Sequence, residues 1–567
     1  MPASFFEQSK FHFLLIGIFA GAVMLPSLAG GMTSGNDFQQ HYQFAVTIYE
    51  AIANGRLFPG WADTTNFGFG DVGVRFYPPL SYYVLALFRW FTGNWFAASY
   101  CAFTLWFYLG GLGVYLWSRR WFSTNASLIA ALVYTFAPYH VNEIYNAFTY
   151  AEFAASGILP FCFLFVDKIW DERRIGNLTG LAAAYAALVL THIPMTVIGS
   201  IAILMYIAAL FYIDRKKPKF SLRSEFIRVF DLICGIALAL LASAFYWVRM
   251  VSELNFVKAS TSAFSSNEYD YRNNFLLSYF TVSPEVYARQ SLWHCDWMLG
   301  ITLLASFPCV VYYLLCRRTE IGRHLHFVTL LAGAIFFSVS ASSFLWRNFQ
   351  PLEKIQFPWR WLAITSLASA LLAASAFDVF KTRVGRKARP MLIGFSVLIM
   401  TGLLFTVIQV IMPAQYLDRQ SFDRKLAGIA SVESFQCWWP LWANAEALND
   451  RALARSGNRE TTVVEWKPEI RRFTVDTGED QRLRVATFYY PNWKAEVDGK
   501  VVTVERDESG IISIPIGTSK TQVTLYFEEP LVNSAAAYIS LATLLGLASI
   551  FAITGVRTNM KKRALLL

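Results

Sequence analysis

Apolar residues gather in long runs at 11–31, 96–117, 122–139, 153–170, 178–192 and 195–213, then at 229–250, 297–316, 327–346, 359–380, 391–413 and 533–556. Most approach the roughly 20 residues that a helix needs to cross a bilayer core, and 122–139, 153–170 and 178–192 are shorter. The pattern predicts a mainly α polytopic membrane protein with about twelve transmembrane helices. The first run is too long for a removed signal peptide and lacks a small-residue cleavage pattern, so it is expected to remain as an anchor. One further apolar stretch, 79–93, covers only about 15 residues and carries Arg89, which predicts a juxtamembrane or re-entrant helix on the outer face.

Elsewhere the period changes. Residues 461–466, 471–475 and 483–488 alternate as half-buried strands do, and Asp498-Gly499 between 495–497 and 501–504 is a two-residue hairpin signal. With 511–516 and 522–527 they predict a small antiparallel β domain, sandwich-like, over 461–529. Cys437-Trp438-Trp439-Pro440-Leu441-Trp442, just before it, reads as an aromatic anchor at the membrane surface. A helical period over 38–53, ending at Asn54-Gly55, predicts an amphipathic helix after the first run.

Composition excludes a soluble protein: 55% of the 567 residues are hydrophobic, 17% aromatic and 16% charged, against about 25% charged in soluble domains. The net charge of +10 raises nucleic acid as a partner, and its distribution removes it. Arg119 and Arg120, Arg173 and Arg174, Arg215-Lys216-Lys217, Arg317 and Arg318, the 381–389 stretch and Lys561-Lys562-Arg563 fall on one side if the spans alternate. By the positive-inside rule that side is the cytoplasm, and both termini lie there. Counting 79–93 as a span would invert every later basic cluster. The large exported pieces are then 32–95 and 414–532, and the latter is mildly acidic, with 15 basic and 18 acidic residues. The expected division is a transmembrane module 1–413 with its exported loop 32–95, an exported segment 414–532, and a final helix with a basic tail over 533–567. Shorter outer loops lie near 140–152, 192–194, 251–296 and 347–358.

Ionisable groups collect on the outer side. Asp37 opens the amphipathic helix in Gly35-Asn36-Asp37-Phe38, so an N-cap and a functional carboxylate are both open readings. Glu143 and Glu152 share the loop that begins at Tyr139, His192 lies in Thr191-His192-Ile193-Pro194, and Arg360 in Phe357-Pro358-Trp359-Arg360-Trp361. Groups at this depth face a cavity or one another rather than lipid. The bland alternatives are a helix cap for Glu152, a satisfied turn for His192, snorkelling to headgroups for Arg360 and packing for His41. Asp71, in a Gly-Asp turn, reads as a turn former. Only Cys295 and Cys437 of the seven cysteines fall in exported segments; they could pair in an oxidising compartment but are read as separate thiols. No Cys/His spacing suggests a zinc site, and no phosphate-binding glycine loop appears.

An exported first loop that opens with an acidic residue and leads to Tyr77-Pro78-Pro79-Leu80-Ser81-Tyr82-Tyr83 resembles the GT-C class of integral membrane glycosyltransferases. Gly35-Asn36-Asp37, Phe58-Pro59-Gly60-Trp61, Gly68-Phe69-Gly70, Arg75-Phe76-Tyr77-Pro78-Pro79 and Tyr150-Ala151-Glu152 resemble a bacterial branch labelled as pyruvoyl-tetrahydropterin-synthase-related membrane proteins; the label does not imply pterin chemistry. Tyr490-Pro491-Asn492-Trp493-Lys494-Ala495 is similar to the exported domain of bacterial proteins linked to lipoteichoic-acid glycosylation. The resemblance implies an inverting transfer, at the outer face of a bacterial inner membrane, from a polyprenyl-phosphate-linked sugar donor to a hydroxyl of a glycan, lipid or protein acceptor. It implies Asp37 as catalytic base, with Glu152 in support or for acceptor binding. Arg360, with Arg75 in reserve, would meet the lipid phosphate, and His192, His41, Glu143 and Tyr139 would contact substrate. Asp37 is flanked by Asn36 and Phe38 rather than by a second acid, so metal-independent transfer with no cofactor is expected and a divalent metal is not favoured. The competing readings are a transporter or flippase of lipid-linked sugars and a non-catalytic envelope-glycan assembly factor. Oligomeric state is open.

Overall fold

The structure is a computed structural model and describes residues 3–218, 220–260, 269–316, 324–383 and 389–564. Arg317 and Arg318 and most of the 381–389 stretch lie outside the described residues. Among the described residues six helices are long and apolar enough to cross a membrane: Trp95–Ser118, Tyr150–Asp171, Ile193–Asp214, Leu292–Val311, Pro358–Val379 and Leu531–Thr554. Leu222–Ala242 and Ala244–Phe256 make a seventh if they are taken as one span, bent by 71°.

The remaining apolar runs also become helices, and several end before the run does. The run 122–139 gives only Thr124–Thr135, 12 residues capped by the Ser123 side chain; Pro138 then starts a separate helix, Pro138–Tyr145, where its fixed φ and missing N–H suit a first turn. The run 229–250 breaks at Ser243, whose hydroxyl returns to Ala239 O at 2.8 Å. Leu325–Ser338 stops eight residues short of its run and is followed by the short helix Ser343–Asn348. The stretch expected as juxtamembrane is the helix Leu80–Thr92, which ends at Gly93 with φ +74°. Its Leu87, Trp90 and Phe91 are exposed, while the Arg89 guanidinium lies over Tyr49 at 5.2 Å.

Among the described residues eleven short strands complete the fold: β1 (Met32–Thr33), β2 (Tyr416–Leu417), β3 (Ala454–Arg455), β4 (Thr461–Lys467), β5 (Ile470–Val475), β6 (Arg482–Phe488), β7 (Trp493–Val497), β8 (Lys500–Val502), β9 (Glu505–Arg506), β10 (Ile511–Pro515) and β11 (Thr521–Phe527). β1 and β2 pair with each other, and the other nine form an antiparallel four-stranded sheet, β3-β6-β10-β9, and an antiparallel five-stranded sheet, β4-β5-β11-β7-β8. Phe473, Val475, Val523 and Leu525 of one and Leu483, Val485, Ile512 and Ile514 of the other bury their side chains in a single cluster. The β7–β8 turn is made by Asp498 and Gly499, both at positive φ (50° and 77°), as the right-handed twist of a tight hairpin demands.

The loop after the first apolar run, within residues 32–95, is part of this β core. Trp61, Phe69, Val72 and Phe76 pack in the same cluster as Phe488, Tyr490, Trp493 and Phe527, and β1 pairs with β2 across some 380 residues of sequence. A charge cluster built on the fully buried Arg75 fastens the junction. Arg75 donates from Nε to Glu253 at 2.7 Å and from Nη1 to Glu529 at 2.5 Å, with Nη2 reaching both carboxylates. Tyr490 and Asn533 also donate to Glu253, each at 2.7 Å.

Candidate active site

The residues that matter lie at helix ends. Residues 35–37 press against the turn 146–148: Asp37 N–H donates to Ala147 O at 3.2 Å, and Thr33 Oγ1 donates to Ile144 O at 2.8 Å. Glycine is required at position 35, because a Cβ there would lie 2.2 Å from Asn146 O. On the other side of the contact Phe148 is held at φ +56°, its ring packed on Phe38 at 5.1 Å and Phe103 at 5.7 Å. This docking sets the start of Phe38–Ala53 beside the start of Tyr150–Asp171, and so Asp37 beside Glu152.

Asp37 occupies the N-cap position, yet its carboxylate makes no capping hydrogen bond. The side chain is half-buried. Burial raises its pKa to about 6, with Arg360 pulling it down and Glu152 pushing it up. A carboxylate that spends its oxygens on no neighbour and titrates near neutrality is suited to take a proton.

Glu152 differs: both of its oxygens are engaged. Oε1 accepts from the Tyr139 hydroxyl, and Oε2 accepts from Arg360 Nε at 2.9 Å. Arg360 is further fixed by Nη1 to Ile355 O at 2.6 Å and by stacking on Phe357 at 4.8 Å. Its Nη2 donates to none of the described residues, which leaves a positioned guanidinium edge unused. Glu143 is fully buried, with Oε2 3.2 Å from His140 Nδ1 and Oε1 without a partner. Burial raises its pKa, the Glu152 charge adds to this, and Arg360 opposes it.

Two histidines line the same region as neutral rings. His41, one turn after Asp37, places Nδ1 2.6 Å from the Tyr82 hydroxyl, and burial lowers its pKa to about 3. His192 caps Ile193–Asp214, accepting from Met195 N–H at Nδ1 (3.3 Å); burial first, then Arg360 and His41, lower its pKa. His192 is therefore a satisfied turn residue through Nδ1, while its Nε2 hydrogen-bonds to none of the described residues.

Arg75 does not join this group. All five of its N–H donors go to Glu253, Glu529 and, at 3.5 Å, Gly60 O, so none is left for a phosphate. It is a fastener between the first loop and the β strands, replacing the substrate contact expected from sequence. Asp71 is a turn former, accepting from Gly73 N–H at 2.7 Å. Cys295 and Cys437 are free thiols. Among the described residues no three His, Cys, Asp or Glu side chains gather as a metal-holding group. One residue of the site went unassigned from sequence. Tyr77 lies in electrostatic reach of Asp37, Arg360 and Glu152, and its only sequence signal was its place before Pro78-Pro79.

A small cleft, about 30 Å³, opens between helices Thr124–Thr135, Leu292–Cys316, Leu362–Arg383 and Arg389–Thr406, lined by Val133, Ala137, Pro138, Thr302, Ser366 and Gly402 among others. It reaches Pro138, the neighbour of Tyr139.

Apolar helices carrying a charged site at their ends, joined to a β-rich segment, define a membrane protein of the polytopic class. The chain belongs to the 6-pyruvoyl-tetrahydropterin synthase related membrane proteins, whose family profile matches residues 74–415. Among solved structures it is similar to ArnT from Cupriavidus metallidurans bound to undecaprenyl phosphate (14% identity, TM-score 0.45, covering 70% of this chain and 64% of that one). It is also similar to the archaeal oligosaccharyltransferase AglB from Archaeoglobus fulgidus (14% identity, TM-score 0.42, 75% and 56%). A third is the arabinofuranosyltransferase AftD from Mycobacteria (15% identity, TM-score 0.40, 70% and 26%). The chain spans less than two thirds of the length of each. No curated protein matches it.

Proposed function

We propose that the protein is a glycosyltransferase that moves a sugar from a polyprenyl-phosphate-linked donor to an acceptor hydroxyl at the outer face of a bacterial inner membrane. The observation that carries this reading is Asp37: a half-buried carboxylate, free of its capping bond and with a pKa of about 6, beside an Arg360 held by Glu152.

In this mechanism Asp37 accepts the proton of the acceptor hydroxyl as its oxygen attacks the anomeric carbon. The bond from that carbon to the phosphate oxygen breaks, the phosphate leaves with the electron pair, and configuration inverts. Arg360 Nη2 meets the charge that grows on the departing phosphate. Glu152 and Tyr139 act through Arg360: with both carboxylate oxygens engaged, Glu152 orients the guanidinium rather than serving as base. Holding donor and acceptor in line supplies much of the rate. The lipid-linked donor is what the sequence motifs of the first loop imply.

The reading includes the twelve-span arrangement, with both termini cytoplasmic and the first loop and β strands exported as a sandwich-like unit. It needs no metal, so EDTA leaves transfer unchanged.

The test is turnover in proteoliposomes supplied with a panel of polyprenyl-phosphate pentose and hexose donors and a membrane-glycan acceptor fraction. Release of polyprenyl phosphate together with a glycosylated acceptor is expected. Donor that crosses the bilayer intact, with no phosphate lipid released, would establish a flippase instead.

A further inference from the structure

Tyr77 is clamped on both sides. Upstream, Arg75 is locked to Glu253 and Glu529, the Phe76 ring stacks on Trp438 at 5.9 Å and 7°, and Phe76 O accepts from the Tyr246 hydroxyl at 2.8 Å. Downstream, Pro78 and Pro79 restrict the backbone, and Leu80 N–H donates to Leu190 O at 2.8 Å. Tyr77 itself is extended (φ −96°, ψ 134°), as a residue before proline prefers. Its ring is wedged against Phe44 at 4.9 Å and against His41 and Tyr82 at 6.0 Å each. His41 is one turn from Asp37, and Tyr82 faces Tyr150 at 6.0 Å, two residues before Glu152. The ring is therefore set between the two carboxylate-bearing helix starts.

The neighbouring tyrosines all use their hydroxyls: Tyr82 with His41, Tyr139 with Glu152, Tyr150 with Ser81 O at 2.9 Å and Tyr246 with Phe76 O. Buried phenols find such partners as a rule. Tyr77 is half-buried and its hydroxyl bonds to none of the described residues. A packing tyrosine would have no need of a rigid, unspent donor at this place. Burial and the charges of Asp37 and Glu152 push its pKa up, so the group stays protonated and acts as a donor. The other unspent donor on this wall is Arg360 Nη2.

We propose that Tyr77 is a substrate-contacting residue whose hydroxyl donates a hydrogen bond to the departing phosphate of the lipid-linked donor, alongside Arg360. This rests on the glycosyl-transfer reading above and assigns the recognition of its leaving group. Arg75 then has a role at the site after all, as a positioning residue that fixes the segment carrying Tyr77.

The experiment compares wild type, Tyr77→Phe and Asp37→Asn in nanodiscs. Two binding probes are used, polyprenyl phosphate and the uncharged polyprenol, together with kcat and KM for transfer. Tyr77→Phe keeps the ring and loses only the donor. Its affinity for polyprenyl phosphate should fall roughly 10-fold, its affinity for polyprenol should not change, and kcat should fall roughly 10- to 100-fold. Equal losses for both lipids would assign a packing role, and unchanged binding and kcat would also overturn the proposal. If Asp37→Asn is inactive while Tyr77→Phe behaves as wild type, Tyr77 alone is misassigned. If Asp37→Asn transfers at the wild-type rate, the reading of the function fails, and the binding arm still reports on Tyr77.

Discussion

Replacing Arg75 by leucine tests how the first loop and the β strands are joined. Arg75 is fully buried and divides its donors between Glu253, itself 2% exposed, and Glu529. Stripping the partner from a buried carboxylate costs on the order of 3–5 kcal/mol. An independent figure comes from Glu529. Burial works to raise its carboxyl, but hydrogen bonds from Arg75 and the Arg249 charge hold it at about 2, against an ordinary value of 4.5; that difference corresponds to about 3 kcal/mol. Arg249 and Asn533 share in the Glu529 value, and the junction these contacts stabilise joins the first loop, helix Ala244–Glu253 and the β strands. Released strands are open to protease, so cleavage of the folded protein in nanodiscs reads the open population when reclosing is fast. Arg75→Leu should raise that rate roughly 100-fold. A cycle with Glu529→Gln should show coupling of at least about 1 kcal/mol. Because the Glu529 pKa is depressed in the folded protein, its contribution is complete above pH 4.5 and is lost as pH falls from 4.5 toward 2. A cleavage rate unchanged by Arg75→Leu, or strict additivity in the cycle, would refute the latch.

The rate of transfer should fall as pH drops through about 6, where the Asp37 carboxyl takes up its proton, and level off above; a pH–rate profile checks this, and a flat acid limb would contradict the base assignment. Gly35→Ala puts a methyl 2.2 Å from Asn146 O, which must push Asp37 away from Glu152. Transfer should drop at least about 10-fold while membrane insertion, followed by fractionation, is retained.

Much of the fold is written in local patterns. The amphipathic helix appears as Phe38–Ala53, the juxtamembrane helix stops at Gly93, and Asp498-Gly499 makes the β7–β8 turn, because period, glycine stops and positive-φ turns depend on near neighbours. The helix breaks at Ser243 and before Pro138 were not legible, since an apolar run does not reveal where packing ends the helix within it. Pairings across long separations were equally hidden. Glu152 meets Arg360 208 residues later, and Arg75 meets Glu529 454 residues later. An arginine in a first-loop motif therefore reads alike whether it waits for a phosphate or is spent on two acids. Asp37 shows the converse: its sequence context is that of a cap, and the docking of residues 35–37 on 146–148 is what leaves its carboxylate unspent.

The central claim is that Asp37 is the base of a glycosyl transfer, and Asp37→Asn tests it most directly by keeping the shape and removing proton affinity. Wild type and variant are reconstituted at equal density, and the formation of glycosylated acceptor from a polyprenyl-phosphate sugar is followed. The account predicts a loss of at least about 100-fold in kcat, with polyprenyl phosphate still bound at wild-type affinity; transfer by Asp37→Asn at the wild-type rate would contradict it.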